Sequence, residues 1–174
     1  MKEDNYKFRW EDIGDLELGR PNLGNTTHVS VYRLMQYTMR SVLNKELGGA
    51  KASELFFQAG FVAGEEFCKK LLNGNLEFFD FVAQLQKTLK DLNIGILRVE
   101  KSDLEKMNFV LTVAEDLDCS GLPITDETVC DYDEGFIAGI FKQYSGLDFD
   151  VKEIDCWSTG DRVCRFTINL KDGN

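Results

Sequence analysis

The stretch that decides the fold is LDFDVKEIDCWSTGDRVCRFTINL, residues 147–170. Apolar and polar residues alternate on both sides of Ser158-Thr159-Gly160-Asp161, a turn signal, so the stretch predicts two antiparallel strands joined as a hairpin. The hairpin carries Cys156 and Cys164, and Glu153 lies three positions before the first cysteine. On residue types alone these are ligands of a metal, the two halves of a disulfide, or small buried residues of a sheet. In a regular strand Glu153 and Cys156 face opposite sides, so a shared site requires a bulge or the reach of the glutamate side chain.

Upstream, IGILRVE and MNFVLTVAE alternate in the same way, with Met107, Phe109, Leu111 and Val113 on one face, and predict a first hairpin. Between the hairpins, ITDETVCDYDEGFIAGIFKQYSG predicts a helix opened by Pro123 and Thr125 and closed by Gly146. Three further helices precede the first hairpin. One follows Thr26 and Thr27 to about Leu47, with Val31, Leu34, Met35 and Val42 as its apolar face. The second covers KASELFFQAGFVAGEEFCKKLL, with Leu55, Ala59, Val62 and Phe67 inward, and the third has Phe78, Val82, Leu85 and Leu89 at helical spacing. The order ααα-ββ-α-ββ predicts an α+β domain with helices packed over one face of an antiparallel sheet. Residues 1–25 are assigned to an extended N-terminal segment and 26–174 to a single domain. In that segment Tyr6, Phe8 and Trp10 alternate with Lys7 and Arg9, so it is expected to lie against the body or against a partner subunit.

Gly60-Phe-Val-Ala-Gly64 and Gly135-Phe-Ile-Ala-Gly139 echo each other in two of the helices. Glycine costs about 1 kcal/mol in a helix interior relative to alanine, so each pair implies a close approach, and their matched spacing implies that the two helices cross there.

A chain of 174 residues, 43% hydrophobic, buries a core without staples. Its net charge of −10 argues against a nucleic-acid partner and against an anionic membrane surface. No apolar run of membrane-spanning length exists and the first residues are too polar for a signal peptide, which predicts a cytoplasmic protein. In that compartment five cysteines read as thiols or metal ligands, with Cys68 and Cys119 assigned to the plain thiols.

The run from Cys130 to Ile168 resembles the C-terminal half of the vinyl-4-reductase domain family, also described as predicted hydrocarbon-binding domains. The residues that carry the resemblance are Cys130, Glu153, Cys156 and Cys164 in their spacing, the glycine-bearing helix and the Gly-Asp turn, with RPNLG, Tyr32-Arg33 and AGFVAG upstream. The resemblance implies a fold shared with vesicle-tethering subunits and haem nitric-oxide sensors, dimerisation, and an internal pocket for a small hydrophobic molecule. It also implies a zinc site: in the aromatic-responsive activators that this sequence resembles, an equivalent set maps onto Cys130, Glu153, Cys156 and Cys164. Three thiolates and one carboxylate satisfy tetrahedral zinc and close its shell, the mark of a structural ion.

No catalytic residue is assigned. The chain has neither GxGxxG nor GxxxxGK[ST], and its single histidine, His28, sits at a helix start. Phe81 and Phe109 are the candidate ligand-binding residues, bordering a cavity of roughly a few hundred Å³ expected between the third helix and the first hairpin. The sequence thus reads as a ligand-binding, sensor-type domain with a structural zinc, a homodimer without nucleic-acid or membrane partners. The alternatives are an enzyme of tetrapyrrole or hydrophobic-cofactor metabolism, such as a reductase, and a non-catalytic assembly subunit.

Overall fold

A computed structural model describes residues 6–171, so the outermost ends of the assigned N-terminal segment and domain lie outside the described residues. The elements are α1 (Leu16–Gly19), α2 (Val29–Leu47), α3 (Gly49–Leu71), α4 (Phe78–Asp91), β1 (Ile96–Asp103), β2 (Asn108–Ala114), α5 (Asp131–Ser145), β3 (Phe149–Asp155) and β4 (Cys164–Leu170). Both predicted hairpins form, and they join through β2 and β4 into one antiparallel sheet of order β1-β2-β4-β3. The alternation is kept: Phe109, Leu111 and Val113 from β2, Phe149 and Val151 from β3, and Phe166 and Ile168 from β4 are all buried. The fold is α+β, with α4 and α5 packed on the sheet and α3 behind α5. Among the described residues no helix is long and apolar enough to cross a membrane.

The α3–α5 contact is set by the two glycine pairs. A Cβ built on Gly60 would lie 2.0 Å from the carbonyl oxygen of Tyr132, and one on Gly64 2.1 Å from that of Phe136. Reciprocally, Gly135 would meet the carbonyl of Phe57 at 2.0 Å and Gly139 that of Phe61 at 2.1 Å. The backbones therefore touch, and the crossing turns α3 so that its buried face runs through Ala52, Phe56, Gly60, Gly64 and Phe67. Ala59, expected inward, is exposed for the same reason.

Two other elements differ from the expectation. Helix α5 starts at Asp131, with Cys130 as its cap, not at Thr125. The missing turns are replaced by contacts with the tip of the second hairpin: the N–H groups of Thr125 and Asp126 donate to the Ser158 carbonyl at 2.9 and 3.2 Å, and Ser158 Oγ donates to the Glu127 carbonyl. Helix α2 presents its polar side to the protein. Tyr32, Arg33, Gln36 and Tyr37 all hydrogen-bond the segment 116–118, while Val31, Leu34, Met35 and Val42 are more than half exposed.

The N-terminal segment is not extended throughout. It forms a 3₁₀ turn at Trp10–Ile13 and the single-turn α1, and it lies on α3, where the Trp10 N–H donates to Glu66 Oε2 at 2.9 Å.

Candidate metal centre and cavity

Four chain segments deliver one cysteine each to a single point. Cys119 comes from the turn after β2, Cys130 from the cap of α5, Cys156 from the end of β3 and Cys164 from the start of β4. All four are at most 1% exposed, and their sulfurs lie within 4.8 Å of one another. The Cys130 sulfur is 3.8 Å from Cys156 and 3.9 Å from Cys164, and Cys119 is 3.0 Å from Cys164. A tetrahedral zinc with Zn–S near 2.3 Å places its sulfurs about 3.8 Å apart, so two of these separations already match that edge. Ser158 Oγ lies 3.1 Å from the Cys156 sulfur. Thiol hydrogen bonds from Cys119, then Cys130 and Cys164, draw the Cys156 pKa below the ordinary thiol range.

Of the residues singled out in the sequence, Cys130, Cys156 and Cys164 meet directly, and Glu153 stands beside them. A break in the β3–β4 register between Glu153 and Asp155 is the bulge that puts Glu153 and Cys156 on the same buried side and turns Ile154 outward. Glu153 Oε2 accepts the Cys130 N–H at 3.2 Å, and Glu153 Oε1 is buried without a hydrogen-bond partner. Burial, reinforced by the charge of Cys156, pushes this carboxyl up to about 8. The fourth sulfur of the cluster belongs to Cys119, which sequence spacing did not connect to the others. Its signal lies in the strand pairing: Val113 sits opposite Cys164 on β4, so the turn that leaves β2 passes over the start of β4.

The turn 116–119 also forms the edge of a cavity. Asp116 Oδ1 accepts the N–H groups of Asp118 and Cys119 at 2.9 and 3.0 Å, and Asp118 Oδ1 accepts from the Tyr32 hydroxyl at 2.8 Å. Burial and then the charge of Asp118 push Asp116 up to about 7. Asp133, one turn into α5 from Cys130, has an Oδ2 shielded from solvent and without a partner. A cavity of about 290 Å³ lies beyond it, walled by Phe8, Trp10, Tyr32, Phe67, Tyr132 and Phe136. Between α4 and the first hairpin, where the larger space was expected, the side chains of Leu85, Leu89, Leu97 and Leu111 leave only about 30 Å³, room for little more than a water. Phe81 stacks on Tyr144 and Phe109 on Phe78, both within the aromatic core, and neither borders either space.

The model of the vinyl-4-reductase domain family matches residues 109–170, the span from β2 to β4 that carries all four cysteines of the centre. Over its whole length the chain is similar to Uncharacterized protein MJ0150 of Methanocaldococcus jannaschii, 24% identical over 98% of this chain and 94% of that one. Uncharacterized protein MJ1642 of the same organism is 25% identical over 86% of this chain and 82% of that protein. Among solved structures, a vinyl-4-reductase family protein from M. jannaschii superposes with TM-score 0.62 at 16% identity, covering 98% of this chain and 100% of that one. The phenol-responsive sensory domain of the transcription activator PoxR, solved with phenol, gives 0.64 at 16% identity over 83% and 75% of the two chains. Trafficking protein particle complex subunit 3 from Naegleria fowleri, covalently bound to palmitic acid, gives 0.61 at 15% over 83% and 98%. An H-NOX protein from S. oneidensis gives 0.55 at 11% over 85% and 78%. At these identities the likeness is one of fold: the matched span and the helices before it share the architecture of those solved chains.

Proposed function

We propose that this protein is a sensor-type domain that takes a small, largely apolar molecule into the cavity behind Asp133, holds a structural zinc at its cysteines, and works as a homodimer in a reducing compartment. The observation that carries the reading is the shared wall of the two sites. Asp133 follows Cys130 on α5 and Asp116 precedes Cys119 in the turn, and the donor atoms of Asp116, Cys130 and Asp133 lie within 4.8 Å of one another. A molecule that moved α5 or the turn would therefore act on the cysteine centre, and through Arg33 and Tyr32 on α2.

The donor set suits zinc. Four thiolates satisfy the tetrahedral preference and leave no open position, so the ion's part is to tie the turn, α5 and the second hairpin together. All five cysteines are free and buried, as a reducing compartment allows. The exposed row Val31, Leu34, Met35 and Val42 supports the dimer, since a helix with its polar side inward leaves an apolar face for a second copy.

Native mass spectrometry of the full chain, purified under reducing conditions with zinc supplied, tests all three parts. The expected species is a dimer with one metal per chain that takes up an apolar probe such as toluene or indole. A metal-free monomer that takes up neither would overturn the reading. A metal-loaded dimer that takes up no probe would instead favour an assembly subunit, built on the same α2 face.

A further inference from the structure

The walls of the cavity are not held equally. One is formed by α3 and α5, whose backbones touch at Gly60, Gly64, Gly135 and Gly139 and lock the two helices together. A second is formed by Tyr32, Leu117 and Asp118, with the Tyr32 hydroxyl and the Gln36 amide donating to the Asp118 carboxylate and Arg33 to the Leu117 carbonyl. The third is Phe8, Trp10 and Ile13 of the N-terminal segment. Among the described residues, two polar contacts join residues 6–27 to the rest of the chain: the Trp10 N–H donates to Glu66 Oε2 at 2.9 Å, and Lys70 Nζ donates to Glu11 Oε1 at 3.1 Å. The second is an exposed ion pair and holds little.

Within itself the segment is tied more closely. The Asp12 carboxylate accepts from the Arg9 N–H at 2.9 Å and from the Tyr6 hydroxyl at 3.1 Å, and the Asp12 N–H donates to the Arg9 carbonyl at 2.9 Å, so residues 6–13 keep their shape as a unit. The unit ends at Gly14, whose φ of +79° suits glycine, and every residue from Gly14 to Ser30 is exposed, a leash that runs over the surface into α2. The partly buried residues of the unit are Phe8 and Trp10, and both border the cavity. Apolar side chains that border a space of about 290 Å³ gain dispersion contacts when an apolar molecule fills it. We propose that residues 6–13 are a strap hinged at Gly14, which an apolar ligand in the cavity fixes against α3 and which loosens when that ligand leaves. By linkage, ligand and strap strengthen each other's hold by the same factor. The inference rests on reading the cavity as a ligand site, and it names the element that reports its occupancy.

Hydrogen exchange of the zinc-supplied full chain, read by mass spectrometry with and without saturating indole, tests this, and equilibrium dialysis measures indole binding separately. Indole is expected to slow exchange of the strap amides, Trp10 among them, at least about fivefold, the lower end of ordinary coupling between sites, while peptides from β4 and from the leash stay unchanged. Glu66 accepts from the strap and does not line the cavity, so Glu66→Ala should speed strap exchange and weaken indole binding by up to about tenfold, the ratio that one charge-assisted hydrogen bond gives. If indole binds and leaves strap exchange unchanged, or protects the sheet as much as the strap, the strap inference falls while the cavity reading stands. If dialysis finds no bound indole, both fall. The comparison in the unmodified protein decides the matter even if Glu66→Ala does not fold.

Discussion

The sulfur of Cys119 lies 3.0 Å from that of Cys164 across 45 residues of chain. That separation is far longer than the roughly 2.05 Å of a disulfide and shorter than the edge of a zinc tetrahedron, so these are two free thiols that a metal would spread by under about 1 Å. The β2–β4 ladder imposes the approach by pairing Val113 with Cys164, and the Cys119 N–H bond to Asp116 fixes the turn that completes it.

The first prediction follows from that geometry. Cys119→Ser should remove a ligand and cost zinc affinity more than the roughly 10–100-fold expected for Glu153→Gln, whose carboxylate orients the Cys130 backbone. Cys68→Ser, which alters a buried thiol outside the cluster, should keep the metal. Competition with a colorimetric chelator ranks the three. If Glu153→Gln loses more affinity than Cys119→Ser, the carboxylate is the fourth ligand and Cys119 the bystander.

The second concerns pH, and the metal-free and zinc-loaded proteins should respond with opposite signs. In the metal-free chain burial raises Asp116 to about 7 and Glu153 to about 8, above the ordinary values of 3.8 and 4.5. A carboxyl raised in the folded state contributes stability that is full below its unfolded pKa and is lost as pH rises through the folded one. Chelator-treated protein should therefore lose thermal stability between about pH 5 and pH 8. Zinc must displace protons from sulfur, so its stabilising effect grows over the same range. Melting curves with and without chelator, in reductant, should diverge as pH rises; parallel curves would count against metal binding at the cysteines.

The third prediction is a test of the helix crossing. Gly64→Ala would drive a Cβ to 2.1 Å from the Phe136 carbonyl, a backbone atom that cannot move aside without displacing α5. A loss of about 1–3 kcal/mol or more is expected, from overpacking of a tight contact. Gly49→Ala, where nothing lies within 4 Å of the new methyl, should be neutral or slightly stabilising. Denaturant unfolding of the two variants checks both. Because α5 carries Asp133 and is capped by Cys130, Gly64→Ala should also weaken metal and probe binding.

What the sequence disclosed is what local periodicity encodes. The two hairpins were legible because alternation in β2 and β4 is strict, and the crossing because paired glycines in helices have few other uses. Cys156 and Cys164 were legible as neighbours because they lie on the two arms of the second hairpin, and Cys130 joined them only through the family resemblance. Cys119 was not, since its position depends on which strands pair and not on spacing. The start of α5 was misplaced because Pro123 and Thr125 read as a helix start, whereas in the fold the N–H groups of Thr125 and Asp126 go to the Ser158 carbonyl. The cavity was expected beside Phe81 and Phe109 because aromatic supply is visible in a sequence. It formed elsewhere, where the N-terminal Phe8 and Trp10 cover the flank of α3 and α5.

The fourth prediction concerns α2, whose apolar face was legible in the sequence and points away from the protein. Helical spacing finds a stripe but cannot say what covers it. Here the opposite side is pinned by polar contacts: Tyr32 and Gln36 to the Asp118 carboxylate, Arg33 to the Leu117 carbonyl, and Arg40 to Asp131. Rotating α2 to bury Val31, Leu34, Met35 and Val42 would break all of these, so the stripe stays outward and a second copy of the chain is its expected cover. The aromatic N-terminal segment is not needed for that contact, because Trp10 is bound to α3 of its own chain. Leu34→Glu should then give a folded monomer at micromolar concentration in sedimentation velocity, with its metal content unchanged, because Leu34 touches neither the turn nor the cysteines. Trp10→Ala should leave the dimer intact and loosen the cavity wall instead, seen as weaker probe binding. A Leu34→Glu protein that still sediments as a dimer would place the interface on another face, and the exposed stripe would then require a partner of a different kind.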